Sequence, residues 1–126
     1  MRINEGQMDR QALARFGEEA IALLKAGDFV ALAARFGYAL AYGREPAKAM
    51  ESDLIACLSE DEGSPGPMNP SIAIKYYDAQ AVESIGVSAA IECTTRLAHN
   101  SAILLALVVT GSGEEHHVSL EGFSRV

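Results

Sequence analysis

His116 and His117 are the residues most readily taken for a metal pair, and their adjacency argues against it. The stretch Glu115 to Val126 reads as a strand, and consecutive side chains on a strand point to opposite faces, so the two imidazoles do not share an ion. His99 falls in a turn, and the chain has no His-x-His or Cys-x-x-Cys spacing. The expectation is a pair of exposed strand-edge histidines, no metal and no cofactor. Cys57 and Cys93 each fall on an apolar face, where a thiol behaves as a small hydrophobe; neither has a His or a cation in its own segment to hold a thiolate. Glu92 shares the polar face of a long strand with Thr94 and Arg96. There it is half of an exposed ion pair of little value or, if that face walls a pocket, a general acid or base. Asp53 on a helix and Asp78 at a strand end are weaker candidates of the same kind. No Gly-rich phosphate loop, nucleophile elbow or Ser/His/Asp pattern exists, so no residue is assigned a catalytic role.

Residues suited to recognition stand out better than residues suited to chemistry. Arg35, Tyr38 and Tyr42 stand at i, i+3 and i+7 of a helical stretch, a ridge beside its apolar stripe, and Tyr and Arg are favoured at protein contacts. The bland alternative, tyrosine rings covering a sheet edge, is preferred, yet this ridge is the best candidate contact in the helical half. The acids Glu60, Asp61 and Glu62 form one run, Glu114 and Glu115 another, and Glu92 and Glu121 stand singly. Residues 1–50 carry seven Lys/Arg against six Asp/Glu, whereas residues 51–126 carry three against eleven. Phosphate binding needs clustered cations, which excludes nucleic acid as the expected partner. A surface acidic in its second half attracts a basic protein instead, although acidity by itself argues first for solubility.

The elements that must position these residues follow from spacing. Asp9 suits a helix N-cap, Leu13, Phe16, Ala20, Leu23 and Leu24 recur at helical intervals, and Gly27 is the left-handed stop. Asp28 caps a second helix with Phe29, Leu32, Ala33, Phe36, Ala39 and Leu40 as its stripe, expected to run to Gly43. Pro46 suits the first turn of a third helix, buried through Ala47, Met50, Leu54, Cys57 and Leu58. Ser59 to Pro70 holds three of the four prolines, two glycines and three acids and reads as a loop. Four strands follow. The one through residues 84–97 alternates Ile85, Val87, Ala89, Ile91, Cys93, Thr95 and Leu97 against Ser84, Gly86, Ser88, Ala90, Glu92, Thr94 and Arg96. The next, Ala102 to Thr110, is apolar on both faces, as a strand covered on both sides should be. The fold class is therefore α+β: three N-terminal helices packed on one face of a four-stranded antiparallel sheet, with residues 1–126 forming one domain. Small residues on the open face of the long strand also allow a homodimer through the sheet.

At 126 residues and 49% hydrophobic the chain can bury a core without disulfides or metal. Its longest apolar run, Ala102 to Val109, is too short to span a bilayer, and the N-terminus has no apolar signal core, so no membrane is expected and a cytoplasmic location is.

The stretch ALLKAGDFVALAARFG, a helix ending in Gly27-Asp28 followed by a second helix, resembles the opening of the nuclear-transport-factor-2-like (cystatin-like) superfamily. The order of helices then antiparallel strands is similar to that fold over most of the chain, and the resemblance implies that the four-stranded sheet is curved and cone-like around the helices. Where many of its enzymes place short strands, this chain has the helix Pro46 to Leu58 and the Pro-rich loop. The segment RFGYALAYGREPAKAMESDLIACL and the closing VSLEGF resemble more closely a bacterial subset, the immunity proteins that bind and neutralise a cognate toxin. The resemblance implies a non-catalytic binding protein whose partner is a toxin domain; the charge split makes that partner basic and offers Glu60, Asp61, Glu62, Glu92, Glu114, Glu115 and Glu121 as its contacts, and the aromatic ridge adds Tyr38 and Tyr42. The alternative it implies is a small cone-fold enzyme (isomerase, cyclase or hydrolase type) acting on an apolar small molecule.

Overall fold

The computed structural model describes residues 2–39, 41–59, 71–78, 80, 86–96, 102–112 and 115–125. It is α+β: a short strand precedes the helices α1 (Arg10–Ala26), α2 (Phe29–Phe36) and α3 (Pro46–Ser59), four strands follow them, and all five form one antiparallel sheet. The strands are β1 (Arg2–Ile3), β2 (Ser71–Tyr76), β3 (Val87–Arg96), β4 (Ala102–Ser112) and β5 (Glu115–Arg125), in the spatial order β1-β5-β4-β3-β2. The sheet thus has five strands where four are expected. The addition is Arg2-Ile3, which pairs with His117 and His116 at the far edge of β5. Two residues are too short for an alternation to announce, and it is the burial of Ile3 that holds them there.

Local chemistry sets the helix starts. An Asp9 carboxylate oxygen accepts from Ala12 N at 3.2 Å, and one of Asp28 accepts from Ala31 N at 3.1 Å, satisfying donors that a first turn leaves open. Glu45 does the same for α3, accepting from Ala47 N and Lys48 N, with Pro46 in the first turn as expected. The second helix ends seven residues before the expected stop. Gly37 has φ 74° and ψ −177°, a conformation essentially restricted to glycine, and its N–H closes on Ala33 O. The chain then leaves the helix axis to meet β5, where Ala39 N donates to Leu120 O at 2.9 Å.

All three helices pack on one face of the sheet. That face is built by Ile72 and Ile74 of β2, Ile91 and Cys93 of β3, Leu105, Leu107 and Val109 of β4, and Val118 and Leu120 of β5, which the registers align across the strands. Against them lie Leu13, Phe16, Leu24, Leu32, Phe36, Met50 and Leu54, all buried. The closest approach is at Gly17 of α1, where an added Cβ would stand 2.9 Å from Cys93 Sγ and 3.1 Å from Ile91 Cγ2. A glycine is required there for α1 to reach the sheet. The opposite face carries Ala90, Glu92, Thr94, Leu104, Ala106 and Val108, and among the described residues no helix packs on it. The expectation that β4 is covered on both sides is thus met on one side only by the described elements. Of the described helices, none is long and apolar enough to cross a membrane.

Candidate functional site

The early end of α2 rearranges the expected Arg35–Tyr38–Tyr42 ridge. Beyond Gly37 the i, i+3, i+7 relation no longer defines a face, and the three residues separate. Arg35 remains on α2 and pairs with Glu19 of α1 at 3.0 Å, with both side chains nearly half exposed. Tyr38 turns inward, 8% exposed, with its ring 6.1 Å from that of Phe123. Tyr42 turns outward and is 82% exposed.

Tyr38 and Tyr42 remain linked through a polar cluster that spacing alone does not reveal. The Tyr38 hydroxyl donates to an Asp53 carboxylate oxygen at 2.5 Å. The Arg44 guanidinium meets the same carboxylate in a two-pronged pair, both contacts 3.0 Å, while its Nε donates to Ala41 O at 2.9 Å. Arg44 beside it, and then the Tyr38 hydroxyl, hold the Asp53 carboxyl below the usual carboxylate range. Burial, and then the hydrogen bond to Asp53, push the Tyr38 phenol well above the ordinary tyrosine range. Every member of the cluster is therefore committed: an ionised acid, a protonated phenol and a cation joined to each other. Such a set braces a loop and leaves no group poised to accept or release a proton near neutrality.

What it braces is the turn Ala41–Arg44. Arg44 N donates to Ala41 O at 3.0 Å, and Tyr42 and Gly43 have φ 48° and 83°, the φ pattern of a type I′ turn. Glycine, Asn or Asp ordinarily fills the first of these positions, so a tyrosine there carries backbone strain. The result is an aromatic ring displayed to solvent from an anchored turn.

The remaining expected site residues do not gather. Glu92 is exposed on the open face of the sheet, opposite Ala73 and Ala106, and Glu121 is exposed at the irregularity where β5 pairs with β4 near Ala106. Glu60, Asp61, Glu62 and Glu114 lie outside the described residues, as does the side chain of Glu115. The histidine pair does split between faces, but His116 is 6% exposed where an exposed edge is expected. The reason is β1, which covers that edge by pairing Ile3 with His116. Among the described residues no cluster of His, Cys, Asp and Glu is placed to hold a metal. Cys57 and Cys93 are buried free thiols, and burial pushes the Cys93 thiol up to about 12. An open groove of about 620 Å³ lies between α1 and the edge strand β2, walled by Ala14, Ile21 and Ile72 and edged by Glu18 and Lys25. Comparison with known proteins finds no matching family model, no similar curated protein and no similar solved structure.

Proposed function

We propose that this protein works by binding another protein and occluding it, as a non-catalytic immunity protein does for its cognate toxin, and that the fold is a variant of the nuclear-transport-factor-2-like cone. The observation that carries the binding reading is Tyr42, an exposed ring on a strained turn that Arg44, Asp53 and Tyr38 hold in place. Tyrosine offers a large amphipathic contact surface with few rotatable bonds, and the anchored turn fixes where that ring is presented. The excess of acids after residue 50 supports a basic partner, with Glu60, Asp61, Glu62, Glu114, Glu115 and Glu121 steering its approach. The test uses the full chain as bait against a lysate of its own organism. A basic protein captured by the native chain, lost with Tyr42→Ala, and whose toxicity on expression is relieved by co-expressing the chain, is the expected result. Identical captures by both baits would remove Tyr42 from the contact.

The groove between α1 and β2 favours one second reading, a small cone-fold enzyme, because its volume lies in the range that holds small apolar ligands. Turnover of such a compound, lost with Glu18→Gln and kept with Tyr42→Ala, would establish it over the binding reading.

A further inference from the structure

The open face of the sheet has an organisation of its own. Pairing registers lay it out in rows that run across the strands. One row is Ala73, Glu92, Ala106 and Gly122; the next is Lys75, Ala90, Val108 and Ser119. Leu104 and Thr94 flank the first row on its other side. The middle is therefore low and mostly apolar, with alanine or glycine at three of four positions in the Glu92 row and no large ring on either row. Such a surface lets a second sheet approach to the spacing of about 10 Å at which stacked sheets pack.

Its charge differs from that of the rest of the chain. The molecule carries a net charge of −7, yet among the residues whose side chains are described this face presents Lys75, Arg96 and Arg2 against Glu92 and the bulge residue Glu121. A basic toxin steered by the acids of the second half would meet cations here. A face bearing both signs around an apolar centre instead has what a twofold interface requires, since the same patch must complement itself. Two acidic molecules also meet with least repulsion on their least acidic faces.

We propose that this face is the interface of a homodimer in which Glu92 of each copy pairs with the partner subunit's Lys75. A twofold axis running across the strands between the two rows sets Glu92 over the partner subunit's Ala90, one strand away from the partner subunit's Lys75. It also sets Ala106 against the partner subunit's Val108, small against large. Within one chain Glu92 makes no hydrogen bond or ion pair among the described residues, and the Lys75 ammonium rests 5.1 Å from the Tyr77 ring on the same face. Both charges are thus available to the second copy. The size also fits. Four strands of up to 11 residues cover roughly 600–700 Å² in projection, and side-chain relief brings that near the ~800 Å² per partner of a standard interface. The dimer uses neither Tyr42 nor a second protein, so it stands or falls apart from the binding function proposed above.

Sedimentation velocity on the full chain over a concentration series tests it. The native chain is expected to dimerise, and Glu92→Lys and Lys75→Glu are each expected to weaken the dimer at least tenfold by setting like charges together. The double exchange Glu92→Lys with Lys75→Glu should restore association, and the two single variants mixed should form a heterodimer. Ala106→Arg, on the open face away from the core, should leave the chain folded by circular dichroism and monomeric. A native chain that stays monomeric at about 100 µM, well above the dissociation constants of interfaces this size, overturns the proposal. So does a dimer indifferent to Ala106→Arg, and so does a double exchange that fails to restore what the single exchanges lose.

Discussion

Asp53 joins Tyr38 and Arg44, and its protonation has a readable consequence. Its carboxyl is held low in the folded state by Arg44 and then by Tyr38. The stability this contributes is present above the unfolded carboxyl value, about 4, and is lost as pH falls through the lower folded value. The melting temperature of Asp53→Asn should therefore lie below that of the native chain at pH 7, and the gap should close as both are taken toward pH 2. Because the pair is partly exposed, the gap is modest. Tyr38 gives the opposite limb. Its raised folded value means that it stays protonated above pH 10, and its contribution is whole below the unfolded tyrosine value, about 10, and is lost as pH rises from there through the higher folded value. Phenolate absorbance at pH 11 should then be the same for the native chain and Tyr38→Phe, as long as both remain folded. A higher absorbance in the native chain would show that Tyr38 ionises with ordinary tyrosines. A second residue breaks a local rule: Thr95 is fully buried on the helix-facing side of β3 and its hydroxyl finds no hydrogen-bond partner among the described residues. Thr95→Val keeps the shape and removes the unsatisfied group, so urea titration should show it stabilised by about 1–2 kcal/mol.

At the scale of elements, Gly37 decides where α2 stops. An alanine there must hold a backbone conformation that residues with a Cβ avoid, and Gly37→Ala should cost about 1–3 kcal/mol in urea titration although nothing lies near enough for the new methyl to strike. A cost near zero would mean that the segment 38–45 can re-form without its bridge to Leu120. Leu105 tests the sheet from the other side. It is fully buried on the helix-facing side of β4 between Cys93 and Phe123, so Leu105→Ala should cost about 2–5 kcal/mol. Its strand neighbours Leu104 and Ala106 are only partly buried, and equivalent truncation of Leu104 should cost less in the isolated chain, by the difference between a closed and an open face.

At the scale of the molecule, the proposed binding function rests on how charge is distributed along the chain. The acid run Glu60, Asp61 and Glu62 belongs to the half with the excess of carboxylates. Reversing the three together should slow association with a basic partner and flatten its salt dependence, with the melting temperature nearly unchanged. Binding kinetics at low and high salt check this; an on-rate that ignores both salt and the reversal would remove electrostatic steering from the proposed function. In the binding function proposed above the braced Tyr42 turn would act after encounter, so Tyr42→Ala should raise the dissociation rate and leave the salt dependence intact.

The residues alone determined a good deal of this protein, wherever the signal is local. Asp9, Gly27, Asp28 and Pro46 mark helix ends because a cap or a stop acts over three or four residues, and each stands where it is expected. The faces of β3 and the burial of Leu13, Phe16, Leu24, Leu32, Phe36, Leu54 and Ile91 follow from periods of 3.6 and 2. Tertiary structure decided what depends on a partner distant in sequence. Ala39 and Leu40 continue the helical pattern of α2, but Leu120 O, some eighty residues away, takes the Ala39 N–H and the helix gives way. That single exchange turns Tyr38 inward to Asp53, turns Tyr42 outward, and creates a cluster no spacing rule contains. Arg2-Ile3 becomes a strand only because β5 offers an edge, and it is this edge that buries His116. The second apolar face of β4 was legible in its run of aliphatic residues. That no described helix covers it was not, because a period records that a face avoids water and not what it meets.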